Sequence, residues 1–398
     1  MSDVLRLSAA DEDDRFARFR LIGWWDQNRL AEARVVLIGA GALGNEILKN
    51  LALLGVGNVF VADLDRVEIS NLSRSVLFRA EDRGLPKAEV AARRAADLYP
   101  GIRVQPFHGN VVHDLGLGVY RWADVILGGL DNREARVAIN RAAARTGKVW
   151  IDGAIERLDG VARVFDPASG PCYECTMSPV DWKMLESRRS CALLSRDEME
   201  QGKVPTTPTT ASVIAGIQCQ EAVKLLHGNE TLAGRGFVFE GTRHESYVVT
   251  YTRNDDCPSH EAHEPIETLS LRVSQTRVGD FLERVRADLG PRAVVEMNSD
   301  LLESLDCAAC GESETVLTSL GAVTEAQARC PRCGEPRRPK MFHTVDGSES
   351  FLDRTLGQIG VPPWDILAGR SGLEQRFYEF AGDSHDVLGP LAARSSLV

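Results

Sequence analysis

Three glycines spaced Gly39-x-Gly41-x-x-Gly44 follow the apolar run Val35-Val36-Leu37-Ile38 and open a segment, Asn45 to Leu54, with helical spacing. Glycines so placed let the backbone approach a phosphate, and the helix start offers free N–H groups and the positive end of a dipole. Asp63 ends a second strand, Asn58 to Asp63, at a separation suited to a ribose hydroxyl. Nicotinamide- and flavin-binding folds share this much, and the glycines could serve helix–strand packing alone. The next residues narrow the chemistry. Asp63-Leu64-Asp65-Arg66-Val67-Glu68-Ile69-Ser70-Asn71-Leu72-Ser73-Arg74 sets acids, arginines and an amide within one short stretch, Lys87 follows, and Asp131-Asn132 come after a fourth strand. Hydride transfer has no use for extra cations beyond the pyrophosphate loop. A triphosphate does, with Arg and Lys neutralising charge and a carboxylate holding magnesium.

Cysteine spacing gives a second chemistry. Cys307-x-x-Cys310 and Cys330-x-x-Cys333 form a self-sufficient zinc-ribbon pattern. The basic residues Arg332, Arg337, Arg338 and Lys340 lie in and after it, and in an acidic chain they read as a solvated or acid-facing patch. Cys172-x-x-Cys175 is half of a further tetrahedral site and needs two more ligands. Paired spacing of this kind reads as metal sites in a reducing compartment, with cytoplasm as the expectation. Cys219 falls within a helical pattern as a small core residue. Cys191 lies in a polar connection beside Arg188 and Arg189, which favour the thiolate.

These residues need a scaffold. The chain has 398 residues, 43% hydrophobic and 26% charged, enough for two or three folding units with a sizeable core. Its formal net charge of −11 argues against general nucleic-acid binding. The first residues lack a signal-peptide pattern, and no run of about 18 apolar residues suggests a membrane span. Short apolar runs at Val35–Ile38, Asn58–Asp63, Ile102–Phe107, Asp124–Gly128 and Val149–Asp152 alternate with helical stretches such as Lys87–Leu98 and Asn132–Thr146. This predicts a doubly wound α/β sheet. A polar connection, 176–210, ends in a Pro/Thr-rich run; a helix from about Ala211 to His227 and strands at Gly236–Glu240 and Tyr247–Thr252 follow. The remainder, 265–398, is predicted as a smaller α+β domain: a strand–helix–strand unit over Thr268–Val295, the zinc ribbon 307–333 and a helical tail.

Taken in order, Arg15-Phe16-Ala17-Arg18, the stretch Ala33 to Gly44, Gly55-Val56-Gly57, the Asp63 to Arg74 segment, Lys87, Leu130-Asp131-Asn132, Pro171-Cys172-Tyr173-x-Cys175 and Cys257-Pro258 resemble the ThiF/MoeB superfamily, the adenylation fold shared with ubiquitin-activating enzymes, here of bacterial type. The resemblance runs from Arg15 to His260 and implies a Rossmann-like adenylation domain over 34–264, with 1–33 as a helical lead-in. It implies an ATP and magnesium site drawn from Gly39, Gly41, Gly44, Asp63, Asp65, Ser70, Asn71, Arg74, Lys87, Asp131 and Asn132, with Asp131 organising the metal. Arg18 would reach the nucleotide of a partner subunit across a homodimer. Ser75 departs from the glutamine usual in the family. Where the family carries its second Cys-x-x-Cys, this chain has Cys257-Pro258-Ser259-His260, implying zinc on Cys172, Cys175, Cys257 and His260, with His263 as the alternative imidazole. Activating relatives form a thioester on a crossover cysteine, which points to Cys191. The expected substrate is the C-terminal carboxylate of a ubiquitin-like protein, with onward transfer to a conjugating enzyme. Sulfur-carrier activation without a thioester and a non-catalytic scaffold are the alternatives; neither nucleic acid nor membrane is an expected partner.

Overall fold

The computed structural model describes residues 14–168, 170–182 and 205–392. Cys191 lies outside them. A strand, β1 (Arg34–Ile38), leads through the glycines into α2 (Ala42–Leu54), itself preceded by a short α1 (Gln27–Glu32). Then follow β2 (Asn58–Asp63), α3 (Lys87–Leu98), β3 (Arg103–His108), α4 (Leu117–Trp122), β4 (Val125–Gly128), α5 (Arg133–Thr146) and β5 (Trp150–Glu156). Four of the five residues of β1 are buried and all of β4 is, as a parallel strand covered on both faces requires. Gly55 and Gly147 end α2 and α5 in the left-handed conformation, with φ of 78° and 65°. Asn132 caps α5 by accepting the Ala135 amide at 2.8 Å.

After β5 the chain turns back as β6 (Asp159–Phe165) and later adds β7 (Arg235–Glu240) and β8 (Glu245–Thr250). The eight strands lie in the order β3-β2-β1-β4-β5-β6-β7-β8, parallel from β3 to β5 and antiparallel beyond. The helix α6 (Pro208–Leu226) begins three residues before its expected start. Thr207 caps it, so Pro208, Thr209 and Thr210 form its first turn, where a proline has no N–H to waste. The strand β6, absent from the sequence reading, carries Asp159, Gly160 and Arg163, which hide its apolar alternation.

A second sheet follows. Its strands are β9 (Ile266–Leu269), β10 (Val294–Asp306), β11 (Ser313–Ser319), β12 (Arg338–Val345), β13 (Ile366–Ser371) and β14 (Glu374–Phe380). They run β11-β10-β13-β14-β9, with β12 also on β10, and α7 (Val278–Leu289) packs against them. The expected helical tail is overturned. Residues 366–380 form a hairpin, with β13 and β14 central in the sheet, and among the described residues only short helical turns, Ala381–Asp383, Ser384–Leu388 and Gly389–Leu391, come after it. Burial is continuous over Ile366–Gly369 and over Phe377–Phe380, as strands covered on both faces require.

The two sheets share a core. One face of the first sheet is closed by α2, α3 and α6. The other face is covered by α4 and α5 together with Trp364, Ile366, Ala368, Phe377, Leu388 and Leu391 from the C-terminal part. No helix among the described residues is long and apolar enough to cross a membrane.

Candidate adenylation site and metal clusters

The phosphate loop sits at the carboxyl ends of β1 and β4, where the strand order reverses and open α/β sheets bind ligands. Gly39 has a φ of 93°, and a Cβ there would lie 2.5 Å from the Gly129 carbonyl oxygen. A Cβ on Gly44 would lie 1.9 Å from the Gly39 oxygen. Both positions therefore exclude any side chain. Gly41 differs: its missing Cβ would face open space at the start of α2, the side from which a phosphate would approach. Asn45 holds the loop from within the fold. Its amide donates to the Ala40 oxygen at 2.6 Å and its oxygen accepts the Leu77 amide at 2.9 Å.

Asp63 ends β2 beside this loop. Its oxygens accept the Ala40 amide at 2.6 Å and the Asp65 amide at 2.7 Å. Burial raises the carboxyl above its ordinary value, against the pull of Lys87 and the two amides. Lys87, at the start of α3, is buried and places Nζ 2.8 Å from Asp65 Oδ2. Burial works to lower its pKa, but the charges of Asp63, Asp65 and Asp131 outweigh it and hold the ammonium above its usual value. The lysine is a fixed cation among three acids. Asp131 is exposed and near its neighbour Asn132, whose Nδ2 lies 3.3 Å from Asp131 Oδ1.

The turn Ile69–Ser73 presents the rest. Asn71 is buried, with its side-chain oxygen accepting the Glu68 amide at 2.9 Å. The Ser70 hydroxyl lies 3.2 Å from Glu68, and the half-buried Arg74 folds back to the Ser70 carbonyl at 2.9 Å. Ser75 is buried beneath them. Arg18 stands exposed ahead of the turn Phe19–Leu21. The structure thus brings Gly39, Gly41, Gly44, Asp63, Asp65, Lys87 and Asp131 to one end of the sheet, whereas Arg18 stands at the surface on the N-terminal turn.

Beside α5 is a group that sequence reading missed. Asp152 is fully buried on β5, where it takes Arg136 Nε at 3.0 Å and Arg163 Nε at 3.1 Å. Arg136 also donates to the carbonyls of Leu130 and Gly153. These arginines line a cavity of about 220 Å³ together with Arg133, Tyr173, Met177 and Asp181. The position of Arg136, one helical turn after Asn132, was the available signal; Arg163 gave none.

The metal clusters were legible. Cys172, Cys175, Cys257 and His260 place their ligand atoms within 4.8 Å of one another, as do Cys307, Cys310, Cys330 and Cys333. Sγ separations are 3.7 Å for Cys172–Cys175 and 3.6 Å for Cys172–Cys257. A zinc tetrahedron with bonds of ~2.3 Å has edges of ~3.8 Å, so the donors fit that ion. His260 Nε2 is 3.2 Å from Cys175 Sγ. His263 is elsewhere, stacked on Phe377 with ring centroids 4.1 Å apart. In the second cluster the Sγ separations are 3.4 Å for Cys307–Cys333 and 3.6 Å for Cys310–Cys330. Three of the four basic residues near it face the chain's own acids. Arg337 is buried on Glu314 at 2.6 Å, Lys340 pairs with Glu303 at 2.9 Å, and Arg332 lies 3.9 Å from Glu312. Cys219 is buried against the Ile47 carbonyl, its thiol pushed up to about 12 by burial.

A glycine loop, an acid-bound lysine and a Cys/His clamp on one doubly wound sheet define a nucleotide-binding α/β protein with a zinc-type crosslink. The ThiF family matches residues 14–259, and the chain belongs to that family. It is 35% identical over 258 residues to a sulfur carrier protein adenylyltransferase of Thermus thermophilus, covering 62% of this chain and 90% of that protein. It is also 35% identical over 263 residues to a SAMP-activating enzyme E1 of Haloferax volcanii, covering 63% and 89%. A NEDD8-activating enzyme E1 catalytic subunit of Arabidopsis thaliana is 43% identical over 157 residues, but only 36% of this chain and 34% of that protein align. In fold the chain is similar to E. coli MccB solved with ATP, at a TM-score of 0.53 and 20% identity over 64% of this chain and 75% of that one.

Proposed function

We propose that this protein uses ATP to adenylylate the C-terminal carboxylate of a ubiquitin-like or sulfur-carrier protein. The observation that carries the reading is Lys87, buried and held charged among Asp63, Asp65 and Asp131 beside the open face of Gly41. Triphosphate oxygens would lie against the first-turn amides of α2, and Lys87 and Arg74 would offset their charge. Asp131 would hold magnesium, which when bound supplies charge stabilisation at the phosphates. The arginine-lined cavity along α5 is the place for the carrier's tail. Its carboxylate oxygen attacks the α-phosphorus, the bond to the pyrophosphate oxygen breaks, and an acyl-adenylate remains.

The finer reading adds a thioester. The Cys191 thiolate would attack the acyl carbonyl and release AMP, leaving the carrier on the enzyme for transfer to a conjugating enzyme. Arg18, on the lead-in 1–33, would complete the site of a partner subunit in a homodimer. Residues 34–264 would form the adenylation domain and 265–398 a C-terminal α+β domain packed against it. The alternative, sulfur-carrier chemistry without the thioester, is favoured by a relative of that name aligned over 90% of its length.

Pyrophosphate exchange with magnesium, ATP and a candidate carrier, run beside non-reducing gels, separates these readings. Exchange should be lost in Lys87→Ala and Asp131→Asn. A thiol-sensitive adduct that vanishes in Cys191→Ala while exchange persists supports the thioester. Exchange without an adduct supports sulfur-carrier chemistry, and no exchange with any carrier sinks both.

A further inference from the structure

The phosphate loop follows β1 and the ribose acid ends β2, so a nucleotide laid across the strand ends carries its base towards β3. The last residue of β3, His108, is in register with Asp63. The loop after it, from Gly109 to Gly116, is therefore the base-side wall. It is stitched to itself: the Asn110 amide donates to Asp114 Oδ2 at 2.8 Å, the Asp114 amide to the Asn110 carbonyl at 2.7 Å, and the Val112 amide to Asn110 Oδ1 at 3.0 Å. Those bonds set its shape. They do not set where it stands.

Its position is set from the C-terminal sheet, at both ends. Gly321, in the turn that follows β11, packs so closely on His113 that a Cβ there would lie 2.6 Å from Cδ2 of the ring. At the other end a Cβ on Gly116 would lie 2.4 Å from the Pro363 carbonyl oxygen. The next two amides, of Leu117 and Gly118, donate to Asp365 Oδ1 and the Trp364 carbonyl, each at 2.9 Å. The two braces are parts of one body. Gly360, with φ of 101°, approaches Ser319 so closely that a Cβ would lie 2.5 Å from its nitrogen. His113 Nδ1 is buried without a hydrogen-bond partner among the described residues, so packing holds the ring.

We propose that the C-terminal domain braces the base-side wall of the nucleotide pocket through the Gly321–His113 contact, so that residues outside the family match set the affinity for ATP. The match ends at residue 259. The proposal rests on the ATP-site reading above, and Gly321 and His113 are positioning residues within it.

The test measures magnesium–ATP binding to the full chain by calorimetry, without carrier, for the wild type, Gly321→Leu, His113→Ala and the double variant. Gly321→Leu should weaken binding by roughly 3- to 30-fold, the span of couplings carried through packed contacts. Its melting temperature should stay within about 2 °C of wild type. In the double variant the lost ring makes room for the leucine, so affinity should return to that of His113→Ala alone; additive losses would overturn the direct contact. Leu373→Ala, at the exposed tip of the β13–β14 hairpin, should bind as wild type does. If Gly321→Leu does not fold, Gly321→Ala imposes the smaller clash and should give a smaller loss. Wild-type binding with unchanged affinity in Gly321→Ala and Gly321→Leu overturns the brace alone. A wild type that binds no ATP removes the ATP-site reading and the brace with it.

Discussion

The two metal clusters are made of similar half-sites, yet they close very different lengths of chain. Cys172 and Cys257 stand 85 residues apart, across β7, β8 and α6, whereas Cys307 and Cys333 stand 26 apart. Loop closure alone makes this a difference of only about 1 kcal/mol, because its entropy grows with the logarithm of length. The larger difference lies in what surrounds them. Glu174, between the first two cysteines, is buried and accepts Asn140 Nδ2 at 2.9 Å, Arg141 Nη2 at 2.8 Å and the Ser259 hydroxyl. One carboxylate thus joins both halves of the cluster to α5, the helix that begins beside Asp131. The second cluster sits at the end of the β10–β11 and β10–β12 pairings, with Cys333 exposed. The first cluster is woven into the adenylation core; the second is a local staple.

The comparison breaks if the first cluster can be lost without unfolding. Cys172→Ser should reduce zinc from two ions per chain to one by elemental analysis. It should also destabilise the ThiF-family part by ~3–5 kcal/mol, as loss of a structural metal does. In a unit of this size that lowers the melting temperature by on the order of 10 °C. Glu174→Gln keeps the four ligands but removes the charge that Arg141 and the two other donors share. It should cost about 1–3 kcal/mol while leaving two zinc ions bound. A melting temperature equal to wild type would mean that the carboxylate joins nothing.

Much of this was legible before the fold was seen. The phosphate loop is local: an apolar run, three glycines and a helical pattern suffice. Metal half-sites are local too, and α3 starts and ends where its periodicity does. What escaped depends on partners distant in sequence. Arg163 made β6 look unlike a strand because its neutraliser, Asp152, lies on another strand. Likewise β13 and β14 fall within the predicted helical tail, since two short strands around Ser371-Gly372 carry little periodicity. Nothing in the sequence foretold that Trp364, at a positive φ of 58°, would pack on Gly118 and donate its indole N–H to Glu379 at 2.9 Å. The choice of His260 over His263 was legible in the Cys257-Pro258-Ser259-His260 spacing; the stacking partner of His263, Phe377, was not, since it is more than a hundred residues away.

The second cluster sharpens the comparison by a smaller effect. Cys310→Ser should also leave one zinc ion per chain. The melting transition of the adenylation core should move by less than ~1 kcal/mol equivalent, because the lost closure is short and exposed. Protease sensitivity should appear between residues 307 and 333. The KM for ATP should rise modestly, since β11 leads from this cluster to Gly321. Global unfolding in this variant would erase the distinction between the clusters.

The smallest effect concerns His263, where the chain leaves the first cluster for the second sheet. Its amide donates to the Arg145 carbonyl at 2.9 Å, its ring stacks on Phe377, and Nδ1 is buried without a hydrogen-bond partner among the described residues. Burial, with the nearby Arg145 charge, lowers its pKa to about 3. The folded state therefore leaves the ring neutral, while the unfolded chain takes up a proton below about pH 6.5. Stability from this residue is present above that value and falls as pH drops through the window down to about 3. At pH 6 the loss is still only about 1 kcal/mol. His263→Phe should flatten the fall in denaturant-measured stability between pH 7.5 and pH 6, a range in which zinc occupancy can be checked in the same samples. An unchanged slope with both zinc ions retained would mean that the seam between the sheets does not keep this imidazole dry.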